Sequence, residues 1–206
     1  MTTFAQDERH ALSDLLLEVG PDAPTLCGGW RTRDLAAHLV LRERRPDAAA
    51  GILLPPLAGR TAQVQGRLAA GPWPSLVETV RSGPPRPLQP LDEAINTVEF
   101  FVHHEDVRRV AGGWEPRALG PAMEAALWRR LRTMARLLFR RAGVTVELEA
   151  TGQGRARAGS GPDTVRVTGP ASELVLLGFG RGSHARVAMD GTPAAVERLR
   201  QAPLGI

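Results

Sequence analysis

The hydrophobic period of the chain changes once, at Gly143, and that change limits the fold more than any other feature. Before it, apolar residues recur every three or four positions. Met123, Leu127, Leu131, Met134 and Leu138 are the clearest run, and this is the period of a helix with one buried face. After it, VTVELEA and DTVRVTG alternate apolar and polar residues, the period of half-buried strands. The expected class is therefore α+β. A length of 206 residues allows one large domain or two small ones. Two are expected: a helical domain over 1–142 and a small α+β domain over 144–206.

Punctuation places the elements. Thr3 and Gln6 form a capping-box pattern for a helix over 3–18, which Gly20 and Pro21 stop. Thr32 is the expected cap of a second helix, with Asp34 in its first turn, where a carboxylate suits the helix dipole. Short helices are expected around 60–69 and 74–82. A third long helix runs from Asp92 to about Val110, before Gly112 and Gly113, and a fourth from Pro121 to about Arg141. Beyond Gly143 the expected order is strand, strand, helix, strand, helix. GQGRARAGSG, between the first two strands, reads as a Gly-rich turn, and SHARVAMDG as the third strand.

Composition narrows the function classes. Hydrophobic residues make up 43% and charged residues 23%, enough apolar material for a core. Every one of the 26 basic residues is arginine, yet net charge is only +4, and acidic residues are interspersed with no long basic run. Nucleic acid is therefore not an expected partner. The single cysteine, Cys27, excludes an intrachain disulfide and fits a reducing cytoplasm. The start MTTFAQDERH is charged, unlike a signal peptide. No apolar run approaches the roughly 20 residues of a membrane span. A cytoplasmic protein is expected.

The stretch NTVEFFVHHEDVRR carries the chemistry. On a helix of about 100° per residue, Ile95, Val98 and Val102 share one side, expected to face the core. Glu99 and His103, four apart, lie one above the other at the edge of that side, and Asp106 follows three later. His104 points away. Buried ionisable groups are costly unless paired or bound to a metal. A third ligand is available on the second helix: His38, which shares a face with Leu35 and Leu41. His38, Glu99 and His103 would form a His2Glu set with an open fourth position, the ligand count of a catalytic zinc site. Asp34 and Asp106 are each one turn from a histidine and are candidates to accept its second ring N–H. Against this stands the plainer reading, an ordinary i, i+4 polar pair and a satisfied boundary histidine.

The segments TLCGGWRTRDLAAHLVLRERRPDAA and NTVEFFVHHEDVRR resemble the mycothiol-dependent maleylpyruvate isomerase-like family, within the DinB-like metal-dependent bundles. The most specific parts are Trp30 to Leu39 and Glu99 to Asp106, and VTGPASELVLLGFGR and VAMDGTPAAVERLR also resemble the family's second domain. The resemblance implies an N-terminal DinB-like four-helix bundle followed by a small α+β domain. It implies a divalent metal, typically zinc, on His38, Glu99 and His103. It also implies a low-molecular-weight thiol cosubstrate, mycothiol or bacillithiol, because zinc with an open position turns a bound thiol into a thiolate nucleophile. EFFVHHEDVRR is most similar to a subgroup of unassigned activity, so maleylpyruvate itself is not implied as the substrate. The expected function is a thiol-dependent transferase or isomerase acting on an organic substrate. A non-catalytic metal- or ligand-binding or sensing protein on the same scaffold is the alternative. Monomer and homodimer are both open.

Other residues read as plainer. Cys27 is expected to be a small buried side chain, and Trp30 to pack against the start of the second helix. His10 and His184 are expected to be structural or solvated. Arg181, in GFGRGSH, is a candidate clamp for an anionic substrate, with a surface arginine as the competing reading.

Overall fold

Thr3 caps the first helix, α1 (Phe4–Val19), as its spacing from Gln6 predicts: the Gln6 N–H donates to the Thr3 hydroxyl, and the Thr3 N–H to the Gln6 side-chain carbonyl. This computed structural model describes residues 3–52 and 54–205; Met1, Thr2, Leu53 and Ile206 lie outside the described residues. The helices that follow are α2 (Thr32–Arg44), α3 (Pro46–Ala49), α4 (Ala58–Ala69), α5 (Trp73–Arg81), α6 (Asp92–Arg108) and α7 (Pro121–Leu138). Then come β1 (Thr145–Ala150), β2 (Gly154–Gly159), β3 (Thr164–Gly169), α8 (Ala171–Gly178), β4 (Ala188–Asp190) and α9 (Pro193–Gln201). The mixture of helices with a four-stranded sheet is the expected α+β class. Among the described residues, no helix is long and apolar enough to cross a membrane.

The chain forms two compact units that meet in sequence at Trp114 and Glu115. In the first, Leu12 and Leu16 of α1, Leu35 and Leu39 of α2, Val77 and Val80 of α5 and Phe100 of α6 share one buried cluster. Each fully buried leucine contributes about 1.5–3 kcal/mol relative to an exposed one. This shared cluster, more than intrinsic helix propensity, holds four elements together. A polar network lies within the same unit. The Arg9 guanidinium, 1% exposed, donates to both oxygens of Glu43 and to Asp92 at 2.7–2.8 Å, and its carbon sits 4.0 Å from the centre of the Phe100 ring. The Asn96 amide donates to the same two carboxylates. α1, α2 and α6 are thereby fixed against one another by charge as well as by apolar contact.

In the second unit the sheet order is β2-β1-β3-β4, with β1–β2 and β3–β4 antiparallel and β1–β3 parallel. Val146, Leu148, Val165 and Val167 are fully buried. Their neighbours along the strands form solvated pairs, Glu149 with Arg155 and Glu147 with Arg166. α7 packs on α8 and β2, and α8 on β1 and β3.

Three expectations are corrected. The stretch read as a Gly-rich turn contains a strand, β2. Its glycines serve the ends, Gly152 at φ +70 and Gly159 at φ +67, while Arg155, Ala156, Arg157 and Ala158 pair with β1 in strict register and Ala158 is buried. The α2 cap residue is Arg31 rather than Thr32: the Asp34 carboxylate reaches back to the Arg31 N–H at 2.9 Å, leaving the Thr32 hydroxyl to bond the Gly20 carbonyl. Ile95 does not face the core. It is 54% exposed, whereas Val98 and Val102 are buried as expected.

Candidate metal centre

α6 begins with Asp92 and Glu93 and ends with Arg108, charges that suit the two ends of its dipole. Its polar side chains diverge. His104 turns to α1, where its Nδ1 lies 2.9 Å from Glu8. Glu105 pairs with Arg108 and Arg109. Glu99, His103 and Asp106 point to a third side, where α2 and the loop before it supply the rest of the constellation.

That loop is built to a shape. Pro24 and Arg31 form an isolated bridge. The Trp30 N–H donates to the Cys27 carbonyl, closing a turn in which Gly29 takes φ +81, a conformation that favours glycine at the third turn position. The Thr25 hydroxyl bonds the Trp30 carbonyl, and the Leu26 N–H donates to the Asp106 carbonyl, which ties the loop to α6. Cys27 is thus set beside His103, and the Trp30 ring beside His38, 5.1 Å between centroids.

The geometry around His103 has two sides. On one, Nε2 lies 3.2 Å from Glu99 Oε1, and His38 Nε2 lies 3.5 Å from the same oxygen. Arg42, one turn after His38, brings its Nε to 3.3 Å from it and donates through Nη1 to Asn96. On the other, Nδ1 lies 2.9 Å from Asp106 Oδ2, and the Cys27 thiol donates to that oxygen at 3.0 Å. Asp106 is fully buried.

Burial is the largest influence on His38 and lowers its pKa below the usual 6.5, so the ring is neutral. For His103 burial also opposes charge, but hydrogen bonds to Asp106, Cys27 and Glu99 outweigh it and raise the pKa well above 6.5. For Glu99 burial opposes ionisation, and the bonds from His103 and His38 overcome it, holding the carboxyl well below 4.5. Without a metal the centre is an ionised carboxylate against an imidazolium, with a neutral histidine beside them.

The residues present fit a divalent cation. One atom each from His38, Glu99 and His103 can be chosen so that all three lie within 4.8 Å of one another. Tetrahedral zinc with bonds near 2.05 Å has ligand–ligand edges of about 3.3 Å, close to the 3.2 and 3.5 Å found around Glu99.

Of the sequence candidates, the structure brings together His38, Glu99, His103 and Asp106. Asp34 is held at the α2 cap. Arg181 belongs to the second unit, where its Nη1 donates to the Phe179 carbonyl. His10 is exposed, and His184 lies in a short 3-10 turn with its Nδ1 against Ser183. Sequence reasoning missed Arg42, although its i, i+4 spacing from His38 was a usable signal. It read Cys27 as a small buried side chain, whereas the residue is half-buried and its thiol meets partners more than 70 positions away.

No family model matches the chain, and no curated protein does. Two solved structures share its fold. A histidine-to-alanine mutant of the mycothiol-dependent maleylpyruvate isomerase aligns at a TM-score of 0.58 with 15% identity, over 92% of this chain and 96% of that one. The mycothiol-dependent maleylpyruvate isomerase itself aligns at 0.54 with 16% identity over the same shares. At such identities the likeness is one of fold, and the chain shares that fold over nearly its whole length.

Proposed function

We propose that the first unit is a divalent-metal centre of the DinB-like four-helix-bundle type, with His38, Glu99 and His103 as ligands and zinc as the cation, serving a thiol-dependent transferase or isomerase reaction. The observation that carries this is the convergence of two imidazoles and one carboxylate from two helices, in a chain sharing the fold of mycothiol-dependent enzymes. A zinc ion held there with an open position would acidify a bound thiol, mycothiol or bacillithiol, into a nucleophile.

The chain's own residues have distinct tasks in this reading. Asp106 accepts the Nδ1–H of His103, which fixes the tautomer that offers Nε2 and makes the ring a better donor. Arg42 steadies the Glu99 carboxylate, its Nε beside the oxygen that the histidines approach, and is itself held by its bond to Asn96. Trp30 supplies an apolar wall against His38. The alternative, a non-catalytic binder or sensor with its metal saturated by protein, calls for a fourth protein ligand such as Asp34 or Asp106. Asp34 is engaged at a helix cap and Asp106 on the far nitrogen of His103, which favours the open-site reading.

The test is elemental analysis of the purified full chain, followed by titration with mycothiol and bacillithiol into the cobalt-substituted protein. About one divalent ion per chain is expected, lost in His38→Ala and Glu99→Gln, with a thiol-induced change in the cobalt spectrum. A protein that binds no divalent metal, and whose thermal stability is indifferent to His38→Ala, overturns the proposal.

A further inference from the structure

Cys27, His103 and Asp106 form a second donor set: one atom of each lies within 4.8 Å of the other two. The separations are 3.7 Å from Cys27 Sγ to His103 Nδ1, 3.0 Å from Sγ to Asp106 Oδ2, and 2.9 Å from Nδ1 to the same oxygen. A tetrahedral ion with a bond near 2.3 Å to sulfur and 2.05 Å to nitrogen separates those two atoms by about 3.5 Å. The sulfur–nitrogen distance is therefore already suitable. The carboxylate, drawn in by hydrogen bonds, needs to withdraw only by about half an ångström. Each donor is fixed from elsewhere: Asp106 and His103 by α6, Cys27 by the turn closed at Trp30 and by its N–H bond to Thr25.

We propose that Cys27, His103 and Asp106 bind a thiophilic cation, and that this site competes with the His38–Glu99–His103 set for the ring they share. The two sets use opposite nitrogens of His103. A neutral imidazole presents one lone pair in its plane, so a cation on Nδ1 takes the ring from any cation on Nε2. The thiolate gives the Nδ1 set its preference for soft ions, while the first set, with two imidazoles and a carboxylate, suits zinc. Binding exchanges the thiol proton and the Nδ1 proton, released to solvent, for the cation, and needs no oxidant. The site therefore makes the metal centre sensitive to soft metals through a residue that is not one of its ligands. The cation site stands on the Cys27 geometry alone, while the competition rests on the proposed zinc set.

The experiment is titration of the reduced full chain with Cd2+, following the ultraviolet absorption of the cadmium–thiolate bond. A saturable signal of one equivalent is expected, and it persists in His38→Ala and Glu99→Gln. It should weaken by at least tenfold in apparent affinity in Asp106→Asn and in His103→Gln, both checked for folding by circular dichroism. If Asp106→Asn folds and binds Cd2+ through sulfur as tightly as the unaltered chain, Cys27 acts as an ordinary thiol and the proposal fails. It fails equally if no cadmium–thiolate signal forms, or if the signal needs His38. Zinc titrations of the same variants report on the first donor set separately.

Discussion

His103 is the residue on which the centre turns, because each of its ring nitrogens faces a different chemistry. Its raised pKa makes it an imidazolium in the metal-free protein. A metal on Nε2 must displace that proton. Zinc affinity should therefore fall as pH falls, and the decline should already begin above the usual histidine range; isothermal titration between pH 8 and 6 measures it. The metal-free protein should show the opposite trend on one flank. A group whose pKa is raised by folding stabilises fully below its unfolded value, near 6.5, and loses that contribution as pH rises through the folded value. Glu99, with a lowered pKa, stabilises above its unfolded value near 4.5. The metal-free chain should thus exceed His103→Gln in stability most between about pH 4.5 and 6.5, as read by urea midpoints, with the difference shrinking on the alkaline side. Asp106→Asn keeps an acceptor for Nδ1–H but removes its charge, and zinc affinity should drop by about 10–100-fold. At this scale the sequence was informative wherever helical spacing relates residues: Glu99, His103 and Asp106 lie at i, i+4 and i+7 of one helix. Cys27 had no such marker, because a loop has no period and its neighbour in space is 79 positions away.

Elements are fixed by where their charges go as much as by their apolar faces. The Arg9 guanidinium bridges two carboxylates, Glu43 from α2 and Asp92 from α6. Removing one partner of such a buried set leaves like charges facing each other, at a cost of about 3–5 kcal/mol. Arg9→Met should lower unfolding free energy by that amount at neutral pH and displace α1 first. Burial raises the Glu43 pKa despite the Arg9 bond, so its protonation favours the folded state. The sign follows: that contribution is present below about 4.5, the unfolded value, and is lost as pH rises through the folded value. Without Arg9 the carboxyl loses the bond and charge that hold its pKa down, so it protonates more readily in the variant and Arg9→Met should be less destabilising at pH 5 than at pH 7, which urea titrations at the two pH values decide. β2 is held by different means. Gly159 sits at φ +67, and a Cβ there would lie 2.4 Å from the Val144 carbonyl oxygen. Gly159→Ala should cost at least about 1–3 kcal/mol and loosen the β1–β2 register, visible as faster amide exchange over 145–159. The glycines hid this strand in the sequence: they signal turns at both ends, and the four residues between them carry two exposed arginines and two alanines, too little apolar mass to register as alternation. The α2 start misled for a related reason. Thr32 is the usual capping type, yet the carboxylate two residues later reaches the free N–H.

On the scale of the whole molecule, the change of period at Gly143 marks where helices give way to strands, while packing divides the chain near residue 114. Sequence periodicity reports the secondary structure of α7, but which neighbours it packs on depends on shape complementarity with α8 and β2, and no local pattern encodes that. The division has a measurable consequence for ligand linkage. All three proposed zinc ligands, and the loop that supports them, lie in the first unit, whereas the buried valines and leucines of the sheet belong to the second. A ligand stabilises only what must be folded to bind it, by about 2.7 kcal/mol at a hundredfold excess over Kd. Zinc should therefore slow amide exchange throughout α1, α2 and α6, whose shared core and Arg9 network make them one cooperative body. Exchange in β1, β3 and α8 should change far less. His38→Ala should abolish the zinc effect in the helices and leave the sheet as it was. Equal protection of both units in hydrogen-exchange mass spectrometry would mean that the chain unfolds as a single cooperative whole. Zinc protection surviving in His38→Ala would mean that the metal is held by other residues.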